Sequence, residues 1–415
     1  MNYIEGLGQK AQKAKKSLAT ASTGQKNEIL TQIAAGLLEN QEQILAENEK
    51  DIANARENGI SETMVDRLRL TPERIQGISD ACIQLTNLED PVGEIIEGST
   101  RPNGMKISKI RVPMGVVGII YESRPNVTVD AASLCIKSGN AAILRGGKEA
   151  ICSNKVLMNT MREAVARCGF PEDIVQLVED TSREVSTQMM QANGLIDVLI
   201  PRGGAGLIQA VVKNATLPVI ETGTGNCHIY VDATADLAMA VNITDNGKTQ
   251  RPSVCNALET CLVHRDVAEE FLPMLKAKLD EHQVEIRGCE RTAAILGDCV
   301  VPATEQDYAT EFLDYIISIK VVDSVEEAIA HVSKYSTGHS ECIVTESYAN
   351  ARKFQEEVDS ACVYVNCSTR FTDGGEFGLG AEIGISTQKL HARGPMGLKE
   401  LTTMKYLICG DGQIR

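Results

Sequence analysis

The stretch VVGIIYESRPNVTVDAASLCIKSGNAAILRGGKEA, residues 116–150, decides the fold class of this chain. It holds two β-rich runs, VVGIIY (116–121) and AAILR (141–145), with a helical pattern over 130–137 between them. A second helix is predicted over 150–168. Strands that alternate with helices in this way imply a parallel sheet with helices on its faces.

The same alternation extends along most of the chain and predicts two α/β domains. Residues up to about 90 are helical in pattern, with one helix opening at Thr71-Pro72-Glu73, where threonine suits the N-cap and proline the first turn. Further strands are predicted at 173–178, 197–201, 217–221, 229–232, 261–264, 312–322, 341–345 and 362–366. Helices are predicted between them at 182–191, 205–214, 235–246, 268–279, 324–331 and 348–358. The fold class is therefore α/β, with two doubly wound parallel sheets.

Two further segments have the pattern of β-strands. Residues 104–113 alternate apolar and polar side chains and are typical of a hairpin arm, and LTTMKYLICG (401–410) is typical of a closing strand. The predicted division is 1–228 with the arm at 104–113, then 229–367, then a C-terminal return segment and strand over 368–415.

Composition excludes several classes of function. The 415 residues carry a formal net charge of −15 with acidic residues dispersed along the chain. Nucleic acids and anionic membranes bind basic patches, so neither is an expected partner. No run approaches the roughly 18 apolar residues of a membrane span. The first residues lack the apolar core of a secretory signal, which favours a cytoplasmic location.

Thirteen cysteines are present, and one has an unusual setting. No C-x-x-C pair occurs, so a disulfide framework or a zinc site is not expected. Cys255 lies in QRPSVCNA (250–257), after a proline and beside Arg251. Residues 256–259 could begin a helical turn, which would place Cys255 near a helix N-terminus that favours a thiolate. The local pattern leaves both a catalytic and a packing role open, whereas the other twelve cysteines are predicted to pack.

Four glycine-rich turns could bind phosphate, although the G-x-G-x-x-G fingerprint is absent. They are RGGKEA (145–150), PRGGAG (201–206), ETGTGN (221–226) and GGEFGLGAEIG (374–384). The first two follow a strand and open a helix, where backbone N–H groups can meet an anion. A tight turn between strand and helix explains the same glycines equally well.

A resemblance to a known family rests on five segments of the sequence. They are residues 115–150, 219–232, 250–260, 322–345 and 365–398. Over essentially its full length the sequence resembles the aldehyde dehydrogenase superfamily, and within it the branch that reduces gamma-glutamyl phosphate. The resemblance implies an aldehyde-dehydrogenase-like fold with a small oligomerisation hairpin. It also implies a homo-oligomer, either a dimer or a tetramer. The glutamate 5-kinase is a candidate partner that a scaffold of this fold could dock.

The activity implied by the resemblance is reduction of gamma-glutamyl phosphate by NADPH to glutamate 5-semialdehyde, with release of phosphate, in proline biosynthesis. Residues 1–228 would hold the NADP-binding domain and residues 229–367 the nucleophile. Two alternatives stay open. One is a coenzyme A-dependent acylating aldehyde dehydrogenase, which also uses a cysteine nucleophile. The other is a catalytically silent scaffold of the same fold.

The resemblance also assigns roles to single residues. Cys255 is the implied nucleophile that forms a thioester, and Asn126 the implied oxyanion donor. Glu221 stands where relatives have a water-activating glutamate, but Thr-Gly-Thr-Gly-Asn follows it in place of Leu-Gly-Gly. The cofactor contacts are Arg145, Gly146, Gly147, Lys148, Gly203, Gly204, Glu221 and Glu311. The substrate contacts are Arg124, His339, Glu341, Ser368, Thr369 and Arg370.

Overall fold

The structure, a computed structural model, describes residues 2–415 and divides them into two compact units. The first unit holds the residues up to Thr222 together with Gly378–Gly384 and Met396–Arg415. The second holds Gly223–Phe377 and Ile385–Pro395. The C-terminal part of the chain thus contributes to both units. The predicted division into three functional segments stays a prediction.

The first unit opens with five helices, as the amphipathic pattern predicts. They are α1 (Tyr3–Ala19), α2 (Thr23–Glu39), α3 (Gln41–Glu57), α4 (Glu62–Leu68) and α5 (Pro72–Thr86). Asn2 and Ser22 form capping boxes at the first two helices. The Thr71 hydroxyl oxygen accepts the Arg74 N–H at 3.2 Å, which confirms the predicted start of α5.

A hairpin of β1 (Ile95–Thr100) and β2 (Lys106–Pro113) follows, and then the parallel sheet of the first unit. Its strands are β3 (Val116–Tyr121), β4 (Ala141–Arg145), β5 (Val175–Leu177) and β6 (Val198–Arg202), in the order β5-β4-β3-β6. Its helices are α6 (Asn126–Lys137), α7 (Ile151–Arg167), α8 (Arg183–Met190) and α9 (Ala205–Asn214). All six residues of β3 are buried, as expected for a strand covered on both faces.

Two predictions for this unit are corrected. Residues 217–221 form an isolated bridge to β6, where the Leu199 N–H donates to the Pro218 carbonyl at 2.9 Å. Pro218 itself has no N–H to extend a ladder. Helix α6 begins at Asn126, four residues before the predicted start, because Pro125 fits the turn that opens a helix.

The second unit is built on a seven-stranded sheet in which all pairs are parallel. The order is β10-β9-β11-β8-β7-β12-β13. The strands are β7 (Cys227–Val231), β8 (Leu258–His264), β9 (Glu285–Gly288), β10 (Val301–Pro302), β11 (Ile316–Val322), β12 (Ser340–Val344) and β13 (Cys362–Val365). The helices are α10 (Leu237–Thr249), α11 (Arg265–Asp280), α12 (Glu290–Leu296), α13 (Glu305–Tyr308), α14 (Val325–Tyr335) and α15 (Tyr348–Glu357). Short strands β9 and β10 were not predicted. A two-stranded ladder, β14 (Ile385–Ser386) with β15 (Gly394–Pro395), completes this unit.

The predicted closing strand is β16 (Thr402–Cys409), which pairs antiparallel with β2 along eight residues. Sheet β1-β2-β16 therefore has β16 at an edge. Large apolar side chains of its outer strands are exposed to solvent. They are Ile95, Ile96, Met404, Tyr406, Leu407 and Ile408. Across residues 2–415, no helix combines the length and apolar character that spanning a bilayer requires.

Candidate active site

Cys255 lies in a tight turn between α10 and β8, and its side chain is half-buried. The Ala257 N–H donates to the Val254 carbonyl at 3.0 Å. The predicted helical turn over 256–259 is wrong, because β8 begins at Leu258 and all seven of its residues are buried. A buried strand position outweighs the weak local preference for helix. A helix dipole following Cys255 therefore does not explain any activation of its thiol.

Cys227, the first residue of β7, lies against this turn. Its Sγ donates to the Cys255 carbonyl at 3.2 Å. Burial raises the pKa of Cys227 well above its ordinary value, so this thiol stays protonated at neutral pH. Cys227 thus supports the turn as a neutral donor, as a packing cysteine would.

Gly225 approaches the Cys255 backbone more closely than any side chain could. A Cβ atom at Gly225 would lie 1.4 Å from the Cys255 carbonyl oxygen. The Gly225 N–H donates to Glu311 Oε1 at 2.7 Å, and burial raises the pKa of Glu311. The structure therefore brings Glu311, a predicted cofactor contact, to the Gly225 segment, which packs against the Cys255 turn. The sequence identified ETGTGN only as a glycine-rich turn.

We expect Gly225→Ala to lower kcat/KM by roughly 10²-fold, because displacing a nucleophile by about 1 Å has that order of effect. The clash involves backbone on both sides, so no flexible side chain can relieve it. Steady-state kinetics checks this, with Gly77→Ala as the control, since a Cβ there meets nothing within 4 Å. A Gly225→Ala protein with the wild-type rate would contradict the proposed rigidity of the turn.

The segment from Ser368 to Arg370 packs on the same turn. The Thr369 hydroxyl donates to the Asn256 carbonyl at 2.8 Å, and Arg370 Nε donates to Gln250 Oε1 at 3.0 Å. Ser368 is buried and caps the short 3-10 turn Thr369–Phe371. The side-chain amide of Asn256 donates to the carbonyls of Arg370 and Thr372, at 3.2 and 2.9 Å.

Two arginines flank this turn without an acidic partner. Arg370 is half-buried and Arg251 is exposed, and within residues 2–415 neither forms an ion pair. Burial lowers the pKa of the Arg370 guanidinium, and the positive charge of Arg251 lowers it further. An anion placed beside both would stabilise the two charges.

His339 and Glu341, predicted substrate contacts, are both fully buried, and their role in substrate binding stays a prediction. Glu341 Oε2 accepts the His228 N–H at 2.8 Å and lies 3.1 Å from His228 Nδ1. The hydroxyls of Ser336 and Ser360 donate to the other Glu341 oxygen. Burial lowers the pKa of His339 to about 4, so its imidazole is neutral. Glu341 is thus satisfied within the second unit and is not placed to meet an ammonium group.

Asn126 opens α6 in the first unit, at the end of a constrained turn. Ser123 has a φ of +48°, unusual for a residue with a side chain. Its backbone N–H and its hydroxyl both donate to Glu149 Oε1 at 2.8 Å. Arg124, half-buried, lies in the same turn. The amide of Asn126 donates to Asp130 Oδ2 at 2.8 Å, a contact that the sequence interpretation missed because it began α6 at Asp130.

A cavity of about 660 Å³ in the first unit gathers several predicted cofactor contacts. Its lining includes Arg145, Gly147, Lys148 and Arg183, with the carboxylates of Glu122 and Glu149. Arg145 Nη2 donates to the Thr181 carbonyl at 2.9 Å. Its Nε is buried and has no hydrogen-bond partner within the described residues. Arg183, at the start of α8, was not predicted.

The other glycines of the predicted cofactor set have structural neighbours. A Cβ at Gly146 would lie 2.2 Å from Asn154 Nδ2. The Gly204 N–H donates to Glu122 Oε2 at 3.0 Å, and a Cβ at Gly203 would lie 2.4 Å from the same oxygen. The Glu122 carboxylate therefore lies at the start of α9, where a cofactor phosphate is predicted, and the cofactor role of Gly203 and Gly204 stays a prediction.

Glu221 is half-buried in the first unit, whereas Cys255 belongs to the second. The hydroxyl of the next residue, Thr222, donates to the Pro201 carbonyl at 2.7 Å. This bond holds the chain beside the end of β6.

None of the remaining cysteines forms a disulfide within the described residues, and most are buried or partly buried, as the predicted packing role requires. Cys299 and Cys409 are exposed, which corrects the prediction for those two. Six are buried. They are Cys82, Cys135, Cys227, Cys261, Cys342 and Cys362. The described part of the chain holds no group of three His, Cys, Asp or Glu side chains that could bind a metal.

Comparison with known proteins identifies the family. Residues 3–297 and 300–407 match the aldehyde dehydrogenase family. Gamma-glutamyl phosphate reductase from Carboxydothermus hydrogenoformans is 59% identical over 415 residues, which cover all of both chains. The crystal structure of gamma-glutamyl phosphate reductase from Thermotoga maritima has a TM-score of 0.97 and 52% identity, again over both whole chains.

A more distant solved structure shares the fold alone. An acetylating aldehyde dehydrogenase from Geobacillus thermoglucosidasius has a TM-score of 0.72 at 17% identity and covers 99% of this chain and 97% of its own. Both the sequence match and the structural matches extend over nearly the whole chain. The chain therefore belongs to the aldehyde dehydrogenase family.

Proposed function

We propose that this chain reduces gamma-glutamyl phosphate to glutamate 5-semialdehyde with NADPH and releases phosphate, a step of proline biosynthesis. The observation that carries the proposal is the full-length 59% identity to a relative named gamma-glutamyl phosphate reductase. The position of Cys255 in a half-buried turn, where a reagent can reach it, supports the same reading. We expect the protein in the cytoplasm.

In this mechanism the Cys255 thiolate attacks the acyl carbon of the mixed anhydride. A C–S bond forms, the C–O bond to phosphate breaks, and phosphate leaves with that electron pair. The carbonyl carbon of the Cys255 thioester would then accept hydride, the chemistry that a nicotinamide cofactor supplies when bound. The resulting tetrahedral anion would collapse to the aldehyde and the Cys255 thiolate without taking up a proton, and the one proton of the overall reaction is taken up by the departing phosphate. Covalent catalysis divides one difficult reduction into two easier steps.

Two donors would stabilise the oxyanion that forms on the acyl carbon. They are the Asn126 side-chain amide and the Cys255 backbone N–H. A preorganised donor of this kind typically contributes ~3–4 kcal/mol. Glu221 needs no role as a base here, because phosphate leaves readily and water must be excluded from the thioester.

The phosphate group of the substrate requires positive charge near the nucleophile. We propose Arg370 and Arg251 for it, because both flank the Cys255 turn without an ion-pair partner within residues 2–415. Arg124, beside Asn126 in sequence, is proposed for the α-carboxylate. Ser368 and Thr369 would then hold Arg370 in place rather than bind substrate directly.

The family uses a nicotinamide cofactor, and we propose NADPH. We propose that the 2′-phosphate binds in the cavity that Arg145, Lys148 and Arg183 line together with Glu122 and Glu149. Arg145 Nε, which lacks a hydrogen-bond partner within the described chain, would be one of its donors. Glu311 would meet the nicotinamide ribose. Rates with NADPH and NADH at equal concentrations test this preference, and equal rates would contradict it.

The activity is best tested in reverse, with glutamate 5-semialdehyde and NADP⁺. We expect NADP⁺ reduction to require inorganic phosphate, because phosphate must release the acyl group from Cys255. Equal turnover in water alone would contradict the proposal and indicate a hydrolytic aldehyde dehydrogenase. Dependence on coenzyme A would favour an acylating enzyme. No turnover under any condition would favour a silent scaffold, which could still dock the glutamate 5-kinase.

We further propose that sheet β1-β2-β16 joins copies of the chain into a dimer or tetramer. Its edge strand β16 exposes Ile408 by 59%, and exposed apolar edge strands favour pairing. We expect Ile408→Lys to reduce the mass measured by light scattering after size-exclusion chromatography. Tyr348→Lys on α15, exposed by 80%, is the control. An unchanged mass in Ile408→Lys would contradict this interface.

A further inference from the structure

The side chain of Asp130 contacts the predicted oxyanion donor, Asn126. Asn126 and Asp130 lie four residues apart on α6, and the Asn126 Nδ2–H donates to Asp130 Oδ2 at 2.8 Å. The carboxyl group is half-buried and borders a small cavity of about 210 Å³ that is also lined by Cys82, Ser133 and Glu382. No predicted role accounts for this acid.

An ionised carboxylate determines which end of an amide faces it. Carboxylates only accept hydrogen bonds, whereas an asparagine amide has a donating NH₂ and an accepting oxygen. With Asp130 ionised, the NH₂ of Asn126 must face α6, and its second N–H stays available to another acceptor. Were the amide flipped, its oxygen would face the carboxylate, and the two acceptors would repel each other.

We infer that Asp130 is a positioning residue that keeps the Asn126 amide in the orientation that donates to the oxyanion. The inference rests on the proposed function, since Asn126 needs this orientation only if negative charge develops beside it. A protonated Asp130 could instead donate to Asn126 Oδ1 and stabilise the flipped amide. Turnover should therefore depend on the ionisation of Asp130.

The charges around Asp130 make that ionisation relevant near neutral pH. Burial raises the pKa of Asp130 to about 6, while the Asn126 hydrogen bond and the positive charge of Arg202 on β6 oppose the increase. On α5, burial raises the pKa of Cys82 to about 12, so it stays neutral. Glu382 lines the same cavity from the C-terminal segment. The active form is the carboxylate, so kcat should fall as pH decreases through about 6.

The experiment measures kcat against pH in the phosphate-dependent reverse reaction for wild type, Asp130→Asn, Asn126→Ala and the double variant. We expect Asp130→Asn to lower kcat at pH 8 by about 10-fold, a fraction of the effect of losing the donor, and to abolish the decline near pH 6. In the Asn126→Ala background, Asp130→Asn should have no further effect, because Asp130 acts through Asn126.

The matched control is Asp80→Asn on α5. Asp80 also accepts from an amide four residues away, Gln76 Nε2 at 2.8 Å, but on an exposed surface. That variant should keep the wild-type profile. Two outcomes would overturn the inference. One is that the losses of kcat caused by Asp130→Asn and Asn126→Ala add fully in the double variant. The other is that kcat still declines near pH 6 in Asp130→Asn. If the Asp130→Asn protein does not fold, the wild-type profile still tests the inference. A wild-type kcat that does not decline near pH 6 would then overturn it. A wild type without phosphate-dependent turnover would instead contradict the proposed function.

Discussion

Cys255→Ala is expected to lower phosphate-dependent turnover by about 10⁴-fold or more, since no other group in the mechanism can form the thioester. Cys227 cannot replace the nucleophile, because burial keeps its thiol protonated and its Sγ is directed at the Cys255 carbonyl. Binding of NADPH should persist, because the proposed cofactor contacts Arg145 and Lys148 lie in the first unit.

The measurement is NADP⁺ reduction with phosphate, together with NADPH binding by fluorescence titration. Cys299→Ala is the matched control, since Cys299 is an exposed free thiol of the second unit. It should leave both readouts unchanged. Substantial turnover by Cys255→Ala would refute covalent catalysis at this residue, whereas loss of NADPH binding would indicate that the variant is misfolded.

Lys248→Met is expected to destabilise the protein by about 3–5 kcal/mol, because it leaves a buried charge without its partner. Lys248 lies in the last turn of α10 and Glu259 is the second residue of β8, so their 2.7 Å ion pair connects the two sides of the Cys255 turn. Both side chains are fully buried. Burial raises the pKa of Glu259, while the positive charge and hydrogen bond of Lys248 oppose the increase.

Chemical denaturation, followed by tyrosine fluorescence, measures the loss of stability. Adding Glu259→Leu to Lys248→Met should recover most of it, because replacing both partners with apolar groups removes the unpaired charge. Lys278→Met, which affects an exposed pair with Glu281, is the control and should change stability little. A Lys248→Met protein as stable as wild type would show that this pair does not hold the turn.

The fold could be predicted from sequence wherever periodicity was strong and strands were buried on both faces. Strands β3 and β4 have the predicted bounds, and α9 does as well. The misses share a physical cause. Residues 256–259 contain a local helix signal that the buried ladder of β8 overrides, and β9 and β10 are too short to show a period.

The candidate site was predictable in part, and the contacts show why. Cys255, Glu311 and Arg370 converge on one turn of the second unit, but the glycine that permits this approach gave no signal beyond a glycine-rich turn. His339 and Glu341 in the TGHSE motif suggested substrate contacts, yet both side chains are buried. Glu341 accepts a hydrogen bond from the backbone of His228 on the neighbouring strand β7. A sequence motif identifies residues with a specific role but does not show which groups they contact.

By itself, the sequence determined the alternation of strands and helices and the family, and it indicated the cysteine that we propose as the nucleophile. These three features can be inferred from the order of residues along the chain, because apolar periodicity and sequence motifs are properties of contiguous residues. Only the tertiary structure decided that Gly225 abuts Cys255, that Glu341 is an internal acceptor and that Asp130 holds Asn126. Each of these contacts depends on which backbone and side-chain groups become neighbours when the chain folds. Buried polar groups must then form hydrogen bonds with those neighbours, and this determines whether each group acts as a donor or an acceptor.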